Sequence, residues 1–273
     1  MINVLFGLMV LFFSPGFAFA GEIMFEGYYR VELAGKHIGY YIQRYEFDPK
    51  GKTFDSISFL RIKIGDDITQ RSLKAKANDK FQPVSYQFTS QDGKALKTID
   101  ANFKGEVMQL KISDGKKLKT ETHKVPKGTF MTSFLQYIMM QRPMPLNQAF
   151  KYSGIAEEEG ASYWGKAWLS AKEDRNGFVV FKILNSFKNE EFVSKLAAVP
   201  DSKEKDKYVK GEVLGTSLPA TGLTMELVNS PNLATEGQLV PNKILLSIFG
   251  TMPMGKVNML SMATDVPKST EEQ

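Results

Sequence analysis

The sequence predicts a mainly β protein, in which a long antiparallel meander forms a curved sheet or an open, barrel-like structure packed around one helix at about residues 129–142. Turn signals recur every 10 to 15 residues through the first half of the chain. The segments between them are rich in Tyr, Phe, Ile, Val and Thr and often alternate apolar with polar residues, which is typical of strands with one buried face. The composition, 42% hydrophobic and 24% charged over 273 residues, is that of a globular protein.

The N-terminus resembles a signal peptide. A short apolar run from Leu5 to Phe13 is followed by small residues at Ala18 and Ala20, the positions that a signal peptidase recognises before Gly21. We therefore expect residues 1–20 to be removed by cleavage between Ala20 and Gly21. The n-region has no Lys or Arg, so an uncleaved anchor is the alternative. The mature protein should be exported, periplasmic in a diderm bacterium and secreted otherwise.

The first half of the mature chain predicts about eight strands between Tyr28 and Val125. Asp-Gly pairs at 92–93 and 114–115 favour type I′ hairpin turns, which need positive φ at both central residues. In the segment 84–88 every second residue is apolar. These features predict an antiparallel meander with one buried and one solvated face.

The segment 129–142 has helical rather than strand periodicity. Its apolar positions share one helix face and are Phe130, Phe134, Leu135, Ile138 and Met139. Thr129 is the predicted N-cap, and Pro143 should end the helix. The apolar face should pack on the open face of the sheet.

Strand patterns resume after Pro145. The predicted strands are 162–171, 178–184, 191–198, 210–216 and 223–229. Asn176-Gly177 favours a tight hairpin, and the charged run 201–207 a solvated loop. The segment 242–249 fits either a short helix or a buried strand.

The predicted domain organisation follows from these elements. Residues 21–265 form a single β-rich domain, with possible halves 21–127 and 146–265 joined by the helix. Residues 266–273 should be a disordered tail.

Two short stretches carry a resemblance. Residues 29–39 give a strand, a tight turn and Ile-Gly entering a second strand, and residues 218–222 read Leu-Pro-Ala-Thr-Gly. With the order of meander, helix and further strands, the chain resembles exported bacterial β-rich proteins of unknown function. It is also similar to the β-rich domain N-terminal to bacterial transglutaminase-like modules. The resemblance implies a curved antiparallel sheet around a helix, and it transfers no catalytic residue.

The formal net charge of +5 arises in one region. Residues 94–127 contain nine lysines and four acidic residues. Lysine-tipped, solvated strands explain this excess, and the alternative is a surface attracted to anionic envelope polymers or lipid headgroups. We expect no nucleic-acid partner for an exported protein. After signal removal no apolar segment is long enough for a stable membrane span.

Most catalytic chemistries lack their residues in this chain. There is no cysteine, and the two histidines are His37 and His123, which removes thiol nucleophiles, disulfides and multi-histidine metal cages. The pentapeptide 218–222 matches a sortase motif but should be a turn. The acidic stretches 66–67 and 157–159 should be a turn and a loop. The sequence therefore predicts no catalytic residue, no metal site and no cofactor.

The remaining functional signal is apolar abundance, with 20 Phe, 10 Tyr and 13 Met. A curved sheet around a helix can leave a cleft lined by such side chains, as in lipid carriers. The candidate lining residues are Phe134, Ile138, Met139, Met252 and Met254. We thus expect a non-catalytic envelope protein that binds a lipid-like amphipathic ligand or an envelope protein. The alternatives are a structural or accessory β-domain that acts through surface contacts, and a hydrolase of envelope polymers; the apolar side chains would then only fill the core.

Expression of the full chain in a diderm bacterium tests the signal peptide. We expect a periplasmic protein whose intact mass corresponds to a start at Gly21, because Ala18 and Ala20 suit the peptidase pocket. The variant Ala20→Arg should retain the longer chain, and the control Phe19→Leu should be processed. A full-length mass for the unmodified sequence would contradict cleavage.

Overall fold

A computed structural model describes residues 21–140, 145–175, 178–200, 203 and 208–255. The strands of the first half are β1 (Glu22–Leu33), β2 (Lys36–Asp48), β3 (Thr53–Ile64), β4 (Asp67–Asn78), β5 (Pro83–Asp92), β6 (Ala95–Lys104), β7 (Val107–Ser113) and β8 (Leu118–Lys124). Those of the second half are β9 (Phe130–Met131), β10 (Phe150–Ala156), β11 (Ala161–Arg175), β12 (Phe178–Phe187), β13 (Glu190–Pro200), β14 (Tyr208–Leu218) and β15 (Leu223–Val228). The helices are α1 (Leu135–Met140), α2 (Pro231–Thr235) and α3 (Asn242–Phe249), with a 3-10 turn at Thr132–Phe134.

All fifteen strands belong to one curved sheet. Its order is β8-β7-β6-β5-β4-β3-β2-β1-β15-β14-β13-β12-β11-β10-β9, so two meanders, one from each half of the chain, meet where β1 pairs with β15. Neighbouring strands pair antiparallel except β9 and β10, which are parallel. β8 and β9 are the two edges, so the sheet does not close. The predicted fold class is confirmed.

The turns between strands lie where the sequence signals place them, but the predicted type I′ geometry is wrong. Gly93 and Gly115 of the two Asp-Gly pairs have φ of 59° and 83°, in the region that favours glycine, whereas the residues on either side of them do not have positive φ. Asp92 pairs with Ala95 as the last residue of β5, so it is not a central residue of its turn. The stretch 218–222 is the turn between β14 and β15, with Gly222 at φ 70°. The predicted hairpin at 176–177 and most of the predicted loop at 201–207 lie outside the described residues, as do the predicted signal peptide 1–20 and the predicted tail 266–273.

The concave face of the sheet is filled by the segment that contains β9, the 3-10 turn and α1. Phe134 is fully buried there, with its ring centroid 5.7 Å from that of Phe81, and the rings of Tyr45 and Tyr137 are 4.6 Å apart. Tyr45 also donates a hydrogen bond to the Ser133 carbonyl oxygen at 2.7 Å. The same hydrophobic core includes side chains of β4 and of β12, one from each meander. The two meanders, which form the two arms of the sheet, therefore curve around one shared hydrophobic core.

The helix begins later than the sequence predicts. Phe130 and Met131 form β9, which pairs with Gly154 and Ile155 of β10. Thr129 is not an N-cap, because its hydroxyl donates to the Pro126 carbonyl oxygen at 2.7 Å. Strand pairing thus competes successfully with the helix for its first residues. The predicted stop at Pro143 lies outside the described residues.

The convex face is covered over β1–β3 by α2 and α3. The segment 242–249, whose type the sequence leaves open, is helical. Its buried side chains and those of the strands below form a second core, whose largest members are Tyr28, Tyr40, Ile42, Phe59, Leu245 and Phe249. β1, β2 and β3 are therefore buried on both faces, unlike the outer strands.

A buried ion pair holds this C-terminal cover. The Arg44 guanidinium lies 2.5 Å from the Glu26 carboxylate, and the two side chains are only 2% and 3% exposed. Arg44 donates to the Phe249 carbonyl oxygen at 2.9 Å, at the end of α3. The Glu26 carboxylate accepts hydrogen bonds from the backbone N–H groups of Met254, at 2.5 Å, and Gly255, at 2.8 Å. The pair thus fastens the chain after α3 to strands β1 and β2.

Removal of one partner of this pair should destabilise the protein strongly. Arg44→Met leaves the Glu26 charge buried without its cation, which costs about 3–5 kcal/mol and should lower Tm by about 10 °C. The double variant Glu26→Gln/Arg44→Met should regain part of the loss, since no buried charge remains. The control Lys119→Met removes an exposed ion pair with Glu121 and should leave Tm nearly unchanged. Thermal unfolding followed by circular dichroism measures all three; equal shifts for Arg44→Met and Lys119→Met would contradict the assignment.

Candidate functional site

The concave face holds a cavity of about 350 Å³ between α1 and the sheet. Its aromatic wall consists of Tyr29, Tyr41, Tyr45, Phe187 and Phe192. Its polar side chains are those of Gln43, Thr132, Gln136, Glu158, Asn185, Ser194 and Thr216. The lining therefore combines large aromatic surfaces with hydrogen-bonding side chains, and small-molecule sites also combine the two.

The tyrosine hydroxyls of this wall are already engaged within the protein. Tyr29 donates to the Val213 carbonyl oxygen at 2.7 Å, and Tyr41 donates to Oε1 of Gln43. Burial raises the pKa of Tyr41 to about 12, so the ring stays neutral at physiological pH. The rings thus offer mainly their apolar surfaces to the cavity. Gln136 Oε1, in contrast, is buried and has no hydrogen-bond partner among the described residues.

A smaller cavity of about 200 Å³ adjoins the first. Both are lined by Tyr41 and Glu158. The smaller one is also lined by the apolar Leu60, Leu73 and Phe88 and by two ionisable residues, Arg71 and Glu157. The two cavities therefore lie on either side of the Tyr41–Glu158 position.

The turn between β10 and β11, residues 157–159, crosses from one arm of the sheet to the other. Lys97 of β6 donates to the Glu158 carbonyl oxygen at 2.7 Å. Lys188, which follows β12, lies 2.9 Å from the Glu158 carboxylate and also pairs with Glu159. Tyr163 donates a second hydrogen bond to Glu159 at 2.5 Å. Side chains of both arms thus hold this turn at the concave face.

Glu157 of the same turn is buried, with 4% of its surface exposed. Burial raises the pKa of its carboxyl, against the hydrogen bonds from Thr132 and from the Ser133 N–H. The Thr132 hydroxyl oxygen lies 2.7 Å from Glu157 Oε2 and 3.1 Å from the Ile155 carbonyl oxygen. The shorter contact is the hydrogen bond that the Thr132 hydroxyl donates to the carboxyl group. Glu157 is therefore a buried carboxyl whose two oxygens both accept hydrogen bonds from the segment 132–133.

The structure does not bring the five sequence-predicted lining residues together. Phe134, Ile138 and Met139 are buried in the concave core and do not line either cavity. Met252 packs against the second core, and Met254 is exposed. The two methionines lie near the convex cover because the chain after α3 follows that side. A ligand contact for these five residues stays a prediction.

The residues that do line the cavities were not predicted from the sequence. Tyr29, Tyr41 and Leu60 are cross-strand neighbours in β1, β2 and β3, a relation that depends on pairing register. Alternation within each strand showed only which residues share a face. Glu157 was assigned to a loop with its two acidic neighbours, and no signal in the run of three glutamates distinguishes the buried one.

The histidines and acidic residues form no metal site in the described part of the chain. His37 Nε2 lies 3.0 Å from the Ala234 carbonyl oxygen of α2, and His123 Nε2 lies 2.7 Å from Oε2 of Glu121. No group of three His, Asp or Glu side chains converges there as metal ligands would. Within the same residues, no helix has the length and apolarity required to cross a membrane.

The raised pKa of Glu157 predicts the direction in which the stability of the protein changes with pH. Because the folded state binds this proton more tightly than the unfolded state, stability should decrease as pH rises above the ordinary glutamate pKa of 4.5. Glu157→Gln should remove this loss, so its stability relative to the unmodified protein should increase as pH rises above 4.5.

The matched control is Glu159, whose pKa is lowered, first by the hydrogen bond from Lys188. Here the stabilising contribution is present above the ordinary pKa and is lost as pH falls. Glu159→Gln should therefore change the pH dependence in the opposite direction. Urea unfolding at several pH values measures both, and parallel curves of stability against pH for Glu157→Gln and the unmodified protein would contradict the raised pKa of Glu157.

Comparison with known proteins gives a likeness of fold. No protein-family model matches the chain. No curated protein matches it. Among solved structures it is similar to the β-barrel-like protein of domain of unknown function DUF1849 from Brucella abortus, with a TM-score of 0.51 at 9% identity over 76% of this chain and 97% of that one. The likeness supports the resemblance to β-rich bacterial proteins of unknown function, and not the one to the domain that precedes transglutaminase modules.

Proposed function

We propose that this chain is an exported, non-catalytic envelope protein that binds an amphipathic ligand on the concave face of its sheet. The observation that carries the proposal is the cavity of about 350 Å³ beside α1, whose lining has both an aromatic wall and polar side chains. Small-molecule sites have volumes of about 300–1,000 Å³ and this kind of lining. Export is supported by the signal-peptide pattern ending at Ala20.

The state of the polar groups supports an amphipathic ligand over a purely apolar one. Gln136 Oε1 is buried and has no hydrogen-bond partner among the described residues, which costs about 1–3 kcal/mol unless a ligand or water donates to it. The hydroxyls of Tyr29 and Tyr45 already donate to backbone carbonyl oxygens, so they need no hydrogen-bond acceptor from a ligand. A molecule with an apolar body and one or two polar groups would match this lining.

A second candidate function is binding of an envelope protein through a sheet edge. β8 is a terminal strand of seven residues, mostly exposed, and Leu118 at its start is 71% exposed. An extended segment of a partner could add a strand there. The charged side chains of Lys119 and Glu121 would discourage pairing between two copies of this edge.

The hydrolase hypothesis is not favoured by the geometry. Glu157 and Glu158 both line the smaller cavity, as a pair of catalytic carboxylates would. Glu157, however, is buried and hydrogen-bonded to Thr132 and Ser133, and Glu158 is paired with Lys188. Neither group is free to attack or protonate a substrate in this arrangement.

Titration with N-phenyl-1-naphthylamine, a neutral amphipathic dye that fluoresces in apolar surroundings, tests the proposal. The mature protein should bind it saturably. Thr216 lines the cavity, so Thr216→Phe should fill it and weaken binding by about tenfold or more. The control is Thr224→Phe on the adjacent strand, where the cavity-lining Met225 shows that its neighbour Thr224 faces the other side.

Thr224→Phe should bind the dye like the unmodified protein, and the thermal unfolding of both variants shows whether they fold. Absence of saturable binding by the unmodified protein would overturn the proposal. Equal binding by folded Thr216→Phe would do the same, because the dye would then occupy another place.

A further inference from the structure

We propose that the amphipathic ligand is an anion, and that Arg71 binds its charged head group at the mouth of the smaller concave cavity. This inference rests on the proposed function, since it names the chemical class of the ligand for the same concave site. Its support comes from the position of Arg71, from the apolar surface beside it and from the pairing of the charges around it.

Arg71 lies on the concave face at the outer part of the cavity. Cross-strand pairing aligns it with Leu60 of β3 and Ser90 of β5, and Leu60 in turn pairs with Tyr41 of β2. Arg71 is exposed, Leu60 and Tyr41 are half-buried, and Tyr29 at the end of the same row is buried. The row therefore runs from a solvent-accessible cation to apolar rings, which is the polarity of an amphipathic anion.

The apolar side of this cavity is close to the cation. Leu73 follows Arg71 by two residues on the same face of β4, and Phe88 pairs with Leu73 from β5. A ligand whose head group contacts Arg71 can thus place its apolar part against Leu60, Leu73 and Phe88, and extend past Tyr41 toward the larger cavity.

The charges that line the smaller cavity leave one cation without a partner. The Glu158 carboxylate is 2.9 Å from Lys188, so its charge is matched. Glu157 is buried, and its carboxyl accepts hydrogen bonds from the Thr132 hydroxyl and the Ser133 N–H. The Arg71 guanidinium makes no hydrogen bond or ion pair with any residue in the described ranges, although its neighbours are charged. Among the described charged groups of this lining, Arg71 is therefore the one that remains available to a ligand.

A guanidinium binds carboxylate and phosphate groups through two parallel hydrogen bonds, which gives geometric specificity as well as attraction. A preference for a cationic ligand would also have a physical basis, because the faces of aromatic rings such as those of Tyr29 and Tyr41 attract cations. The carboxylate that lines both cavities is already paired with Lys188, so a ligand cation would find no free counterion there. This favours an anion.

Displacement of N-phenyl-1-naphthylamine by three ligands of equal chain length tests the preference: decanoate, decanol and decyltrimethylammonium. Decanoate should displace the dye from the unmodified protein at lower concentration than the other two. Arg71→Gln should weaken the binding of decanoate by about tenfold and leave the binding of decanol unchanged, because only the charged contact is lost. Arg71→Glu should reverse the order of decanoate and decyltrimethylammonium. Decyl phosphate, compared with decanoate, shows which anionic head fits better.

The matched control is Lys74→Gln, three residues along β4. Lys74 lines a groove on the convex face, with Gln87 and Asp100, so its loss removes one positive charge without touching the concave site. Its affinity for decanoate should equal that of the unmodified protein. An equal loss in Lys74→Gln and Arg71→Gln would overturn the inference, since net charge would then explain the preference.

The failures of the two proposals are distinguishable. The proposed function stands if the dye binds and Thr216→Phe prevents its binding. The inference of an anionic ligand is nevertheless wrong if decanoate displaces the dye no better than decanol, or if Arg71→Gln does not weaken the binding of decanoate. If the unmodified protein prefers decyltrimethylammonium, the inference that the ligand is an anion is likewise overturned. If the dye does not bind at all, both proposals fall.

Discussion

The contact between Glu26 and Arg44 determines how the central strands are buried. One carboxylate and one guanidinium, almost inaccessible to water, connect β1 and β2 to the end of α3 and to the backbone at Met254 and Gly255. Arg44 also lies over the Phe249 ring, with its guanidinium carbon 5.1 Å from the ring centroid. Charges in such a place are tolerated only when each is paired and hydrogen-bonded. Without this pair the convex cover would be held by apolar packing and a few side-chain contacts.

That cover makes the two faces of the sheet different in kind. On the convex side α2 and α3 pack on β1–β3, so those strands are closed to ligands over most of their length. On the concave side a short helix and a turn from the β10–β11 connection fill part of the space between the arms. A helix of six residues cannot fill the hollow of a sheet this large, and the unfilled parts are the two cavities. The site is thus a consequence of how little helix the chain places inside its sheet.

The sequence predicted the part of this arrangement that depends on local chemistry. The eight-strand meander, the Asp-Gly turns and the turn at 218–222 follow from positions that need positive φ and from period-2 alternation. The start of the helix was wrong because β9 depends on Gly154 and Ile155, more than twenty residues away. The cavity lining escaped prediction for the same reason. Tyr41, Leu60 and Arg71 become neighbours only through register, and the burial of Glu157 only through packing on Thr132 and Ser133.

The meeting of β1 and β15 at the middle of the sheet has a consequence for how the chain folds. Within each arm, strands pair with their neighbours in sequence, so each meander can form from hairpins with short loops to close. Tyr28 pairs with Val228, however, and this contact must wait until nearly the whole chain is available. Until then β1 has an unpaired edge, which can capture other extended chains. The joining of the arms, and not the formation of either one, should therefore limit the folding rate and set the period in which the protein is open to aggregation.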